Sequence, residues 1–81
     1  MNVRFKEGMR LHDADGSGYA ARIGPGFDQL LTTTGRRAAD LDARDGVAVR
    51  SRRHGRVLQL VLDMNDELTR TLVAEQRKDK T

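Results

Sequence analysis

The densest chemistry in this chain lies in RSRRHGR, residues 50–56. Arg50, Arg52, Arg53 and Arg56 fall there within seven residues, together with His54. A guanidinium presents its donors as a planar fork that matches the paired oxygens of phosphate or carboxylate. A cluster of this kind suits the phosphates of DNA or RNA, and it equally suits an acidic protein surface. Arg36 and Arg37 form a smaller group that could lie beside it. Arginine outnumbers lysine 12 to 3, and Ala, Gly and Asp are plentiful. High-GC coding produces that bias unaided, so the position of the arginines carries more information than their number.

Catalytic chemistry is poorly supplied. His12 and His54 are the only imidazoles, and Ser17 and Ser51 the only serines, each serine near one histidine in sequence. Nucleophilic catalysis of the Ser–His kind needs an orienting acid and an oxyanion hole within a pocket. Leu, Ile, Val and Phe together number 18 of 81 residues, which leaves little volume to enclose one. No HxxxH spacing offers a metal site. With no cysteine, disulfides, thiolate-based zinc sites and thiol catalysis are excluded. The expectation is a non-enzymatic protein without cofactor. Asp40, Asp42 and Asp45 make a short acidic stretch that Arg44 interrupts, and it reads as a solvated loop.

DADGSGY, residues 13–19, places Asp13, Asp15, Ser17 and Gly18 in the alternation of an ion-binding loop, with the Tyr19 carbonyl next in line. In these residues it resembles the calcium loop of EF-hand proteins. That resemblance implies a bidentate Glu at the twelfth position. Gly24 stands there and has no side chain to offer. The flanking residues alternate like strands where the family has helices. The stretch is therefore expected to be a hairpin turn, with Asp capping its own backbone and Gly accepting positive φ, and calcium is not expected to bind.

The elements that must position these groups follow from periodicity. Val3, Phe5, Met9 and Leu11 share one parity, and Arg4, Lys6, Arg10 and His12 the other, which predicts a half-buried strand over 3–12 interrupted at Gly8. Tyr19, Ala21 and Ile23 continue the alternation after the DADGSG turn, so the two runs make a β-hairpin. Gly24-Pro25-Gly26 is a sharp break. FDQLLTTT, with three β-branched threonines, favours a strand, although Phe27, Leu30 and Leu31 could equally form one turn of helix. Residues 35–46 are a loop or one short helix over Ala38 to Ala43. Val47 and Val49 alternate, and Leu58, Leu60 and Leu62 line one face of a further strand, so residues 46–63 form a second hairpin with the arginines at its tip. Arg50 and Arg56 are expected to flank that tip as a cross-strand pair.

Val57 and Val61 make the last strand apolar on its other face too, as in a central strand or an interface. Either the C-terminal helix covers that face or a second copy does, and a homodimer is the expectation. NDELTRTLVAEQRK, residues 65–78, is the helix. Asn65 is placed as N-cap, acids lie near the start and Arg77 and Lys78 near the end. Leu68, Leu72 and Val73 form its apolar stripe. One unbroken helix over 56–78 is the rival, with Asn65 at a heptad seam. The Asn-Asp-Glu start signal weighs against it.

The fold class is thus α+β: a small antiparallel sheet of four or five strands with a C-terminal helix, closed as an SH3-like barrel or left open under the helix. One domain spans residues 1–78, and residues 79–81 fray. No apolar run is long enough to span a membrane, and the first ten residues lack the apolar core of a signal peptide, so a cytoplasmic location in a bacterial or phage setting is expected. The single Tyr and two Phe sit at core parity, leaving no ready stacking platform for bases. The function expected is a small regulatory or accessory binding module. Its Arg36, Arg37, Arg50, Arg52, Arg53, His54 and Arg56 would bind nucleic acid. The alternative is a protein-binding inhibitor, adaptor or virion component.

Overall fold

The computed structural model describes residues 2–16, 18–53 and 55–78. Two antiparallel hairpins share one sheet. Strand β1 (Arg10–Asp13) pairs with β2 (Ala20–Arg22), and β3 (Val47–Arg50) pairs with β4 (Val57–Leu62). The hairpins join through β1 and β4, with Leu11 opposite Leu62 and Asp13 opposite Leu60, giving the order β2-β1-β4-β3. The sheet is open, with β2 and β3 as its edges, and does not close into a barrel. Helix α1 (Glu67–Lys78) follows β4 directly, so the unbroken helix over 56–78 does not form.

Register fixes the core. The face that carries Leu11, Val47, Leu58 and Leu60 is buried, and Val3, Phe5, Met9, Ile23 and Val73 pack into the same cluster. Alternation put Val3, Phe5, Met9 and Leu11 on one side correctly, but they do not belong to one strand. Gly8 takes φ +97° in a turn at Glu7–Gly8, and the Met9 N–H closes it on the Lys6 carbonyl at 3.2 Å. The chain before that turn leaves the sheet and keeps only a lone bridge from Arg4 to Asp42. Side chains of Leu68 and Leu72 lie over Gly8, where a Cβ would stand 3.3 Å from Leu68 Cδ2.

FDQLLTTT departs from the expected strand. Phe27–Gln29 is a single 3-10 turn, and Leu31 makes only an isolated bridge to Arg37. The threonines explain the loss. The Thr32 hydroxyl accepts from Thr34 N–H at 3.2 Å and the Thr32 carbonyl from Gly35 N–H at 3.0 Å, a local turn that competes with a ladder. Residues 38–45 form two 3-10 turns, Ala38–Asp40 and Ala43–Asp45, instead of one short helix. The Thr33 N–H, on the outside of this region, donates to the Ala48 carbonyl at 2.9 Å and docks the threonine turn on the free edge of β3. Gly46 then enters β3 with φ +70°, where a Cβ would stand 2.7 Å from the Leu60 carbonyl oxygen.

The helix cap is Asp66, one residue later than the sequence suggested. Asn65 is held in the preceding turn, where its N–H donates to the Asp63 carboxylate at 3.0 Å. Asp66 Oδ2 accepts from the Thr69 N–H at 3.0 Å and from the Thr69 hydroxyl at 2.9 Å. The Thr69 hydroxyl in turn accepts the Arg10 N–H at 2.7 Å. Arg22 completes the node, with Nη2 3.0 Å from Asp66 Oδ1 and Nη1 2.7 Å from the Gly8 carbonyl. Near the far end of the helix, Gln76 accepts the Arg4 N–H and donates to the Arg4 carbonyl. The helix therefore packs on residues 4–10, not across the second face of β4. On that face Val57 is 48% exposed and Gln59 is exposed, so the single chain leaves it open.

Two outcomes follow from this packing. Leu60, 4% exposed in the middle of β4, should cost about 2–5 kcal/mol when cut to Ala, whereas Val57→Ala in the same strand should cost under about 0.5 kcal/mol. Urea unfolding of the two variants measures the contrast. The Arg22 guanidinium, hydrogen-bonded to the Asp66 carboxylate, holds that carboxylate well below its usual range, and the Thr69 N–H acts in the same direction. A carboxylate depressed in the folded state stabilises fully above its unfolded pKa of about 3.9 and loses that contribution as the pH falls below it. Asp66→Asn should lower the urea midpoint at pH 7, and its gap to the parent protein should narrow as the pH is taken from 5 toward about 2.

Candidate apolar cleft and arginine rim

The β3–β4 connection is short and strongly built. Ser51 N–H donates to the Arg56 carbonyl and Gly55 N–H to the Ser51 carbonyl, both at 2.8 Å. Arg52 and Arg53 stand at the exposed tip. The strand register places Arg50 opposite Val57, so Arg50 and Arg56 are not the expected cross-strand pair. His54 lies outside the described residues, and so does Ser17 of the β1–β2 turn. Each of the two Ser–His neighbours in the sequence therefore has one member beyond description.

The arginines do not form an isolated spike. Beneath them a cleft of about 520 Å³ opens between the buried face of the sheet and the Gly24–Leu30 loop. Its floor is aliphatic: Leu11, Ile23, Val47, Val49, Leu58 and Leu60. Tyr19 and Ala21 of the first hairpin and Phe27 and Leu30 of the loop line its sides, and Arg50, Arg52 and Arg53 line the end toward the tip. Phe27 is braced edge-on against Phe5, with ring centroids 6.3 Å apart. Leu30, 47% exposed, marks the open margin. Four of the lining residues are arginines and none is a carboxylate.

The two ion pairs among the described residues lie elsewhere. Asp63 pairs with Arg10 at 3.4 Å and Asp66 with Arg22 at 3.0 Å, both away from the arginine tip. Arg22 touches the cleft, but its charge is committed to Asp66. Arg50, Arg52, Arg53 and Arg56 form no ion pair among the described residues. The cleft thus joins two properties in one place: aliphatic surface, and arginines that form no ion pair among the described residues.

Of the residues that the sequence pointed to, Arg50, Arg52 and Arg53 come together at this rim, while Arg56 is exposed beyond it. Arg36 and Arg37 are exposed in the segment docked on the outer edge of β3 and do not line the cleft. The DADGSGY stretch is the β1–β2 turn: Asp13 belongs to β1 and is 5% exposed, and its carboxylate accepts the Asp15 N–H at 3.3 Å. Among the described residues no group of three or more His, Asp or Glu side chains is placed to hold a metal ion. His12 lies on the open face of the sheet, its Nδ1 3.1 Å from the Asp13 carbonyl oxygen. Sequence reasoning missed the cleft itself, together with Tyr19, Ala21, Phe27 and Leu30. Only the parity shared by Tyr19, Ala21 and Ile23 hinted that β2 turns this face toward apolar neighbours.

No family model matches this chain, and comparison with curated proteins and with solved structures likewise gives no match.

Exposed arginines without acidic partners contribute little to stability. The double variant Arg52→Ala/Arg53→Ala should therefore melt within about 2 °C of the parent protein, as expected for surface changes in a small domain. Scanning calorimetry tests this, and a large loss would mark the tip arginines as structural.

Proposed function

We propose that this protein is a non-enzymatic, protein-binding module of the regulatory or accessory kind, and that the β3–β4 arginine tip and the cleft beneath it are its working surface. One observation carries the reading: three arginines without ion-pair partners among the described residues border an aliphatic cleft whose lining holds no carboxylate. A protein partner supplies both things such a surface calls for, apolar side chains for the floor and carboxylates for the rim. Interfaces draw most of their energy from a few anchors in dry pockets, and arginine is enriched among them.

Nucleic acid fits this surface less well. Its phosphates would satisfy the guanidiniums, but a base seated on Leu, Ile and Val would leave its hydrogen-bonding edge largely unmet, and burying an unpaired polar group costs about 1–3 kcal/mol. Phosphate contact alone would leave the cleft unused. No helix among the described residues is long and apolar enough to cross a membrane, so nothing in the described elements directs the arginines toward an embedded role.

A photo-crosslinking residue, p-benzoylphenylalanine, in place of Leu30 places a reporter at the cleft margin without touching the core. Irradiation in an extract of the source cells should give protein adducts that survive nuclease treatment and disappear when Arg50, Arg52 and Arg53 are changed to Ala. Adducts that nuclease removes would overturn the reading. So would submicromolar, steeply salt-dependent binding of labelled oligonucleotides that persists at about 0.15 M salt, because phosphate contacts weaken steeply with salt.

A further inference from the structure

We propose that the cleft receives an extended acidic segment of the partner, with one large apolar side chain seated on the aliphatic floor and a neighbouring carboxylate paired with Arg52 and Arg53 at the end toward the tip. This rests on the protein-binding reading above and names the partner's chemistry. The argument begins with volume. About 520 Å³ lies within the range of sites that enclose a ligand group, so one anchor such as Phe or Leu fits with its neighbours at the margin. A helix would need a long groove for anchors at several turns, whereas this cleft has the volume for one anchor and is bordered at one end by the hairpin tip.

Charge selects what flanks the anchor. Arg22 is held by Asp66 and by the Gly8 carbonyl, so Arg52 and Arg53 at the exposed tip supply the uncommitted positive charge. A cation facing an apolar cleft interacts more strongly with a carboxylate than one in open water, since desolvation lowers the effective dielectric constant. In an extended chain residues i and i+2 point to the same side, about 6.6 Å apart. The pattern acid-x-apolar-x-acid therefore brings a carboxylate to the side that carries the anchor in either chain direction. Guanidinium forks can then take it two oxygens at a time. Ala21, half-buried on the cleft wall, leaves room that a larger residue would fill.

The probe is a fluorescein-labelled peptide, Gly-Glu-Ser-Phe-Ser-Glu-Gly amide, titrated by anisotropy with the full chain. Versions with Phe replaced by Ser, or with both Glu replaced by Gln, should each bind at least about tenfold more weakly, a loss of one good contact. Arg52→Ala/Arg53→Ala should weaken the Glu peptide and bring it level with the Gln peptide. Ala21→Leu and Leu30→Ser should weaken the Phe peptide, with unchanged melting curves confirming that both variants fold. Binding indifferent to Phe or to Glu would overturn the proposal. Absence of peptide binding, with protein crosslinks at position 30 retained, would also overturn it while leaving the protein-binding reading intact. Displacement of the peptide by an oligonucleotide that binds more tightly would defeat both. Tighter binding of dodecanoate than of the peptide would reassign the cleft to a free apolar acid.

Discussion

A single buried hydroxyl ties the two halves of this protein together. Thr69 is fully enclosed, receives the Arg10 N–H of β1 and donates to Asp66, whose other oxygen is held by Arg22 of β2. The first hairpin and the C-terminal helix, far apart in sequence, thus meet at one chain of hydrogen bonds. Burial without these partners would be costly, and with them the network is specific to one arrangement. Among the described residues no buried side-chain polar atom is left without a partner. The node matters because the apolar core is thin: it fixes the angle at which the helix leaves the sheet and keeps β2 in place as one wall of the cleft.

That arrangement also separates two uses of arginine. Arg10 and Arg22 face carboxylates and serve the fold. Arg52 and Arg53 border an apolar hollow and serve no internal contact of that kind. A charge left unneutralised beside aliphatic surface gains most when something else arrives with the opposite sign and an apolar group, and the protein-binding proposal follows from this. The hairpin that carries these side chains does not depend on them, since its turn is closed by backbone bonds between Ser51, Gly55 and Arg56.

Where side chains alternate with period two, the sequence spoke clearly. The Leu58 and Leu60 row is buried as the spacing required, the two hairpins pair as the turns required, and the acidic start of the helix follows β4. Residues 24–46 were opaque for a physical reason. Their conformation rests on local turns, such as the one the Thr32 hydroxyl makes, and on docking to strands that are distant in sequence. Neither leaves a periodic trace. The cleft was invisible for the same reason: Tyr19, Phe27 and Val49 come to line one cleft only after the sheet is assembled. The cap is Asp66 and not Asn65 because its carboxylate takes both the Thr69 N–H and the Thr69 hydroxyl, a contact to the buried threonine that adjacent residue types do not announce.

The Thr33–Ala48 hydrogen bond has a consequence for how such a molecule survives at high concentration. An open sheet ends in rows of unsatisfied backbone groups, and these are templates for cross-β stacking between copies. Here one border is only three residues long and ends in a bulky cation, Arg22. The other is occupied by the threonine turn, which claims a carbonyl that a neighbouring chain would otherwise use. With both borders blunted, edge-to-edge pairing between copies is disfavoured even though the apolar cleft lies open beside them.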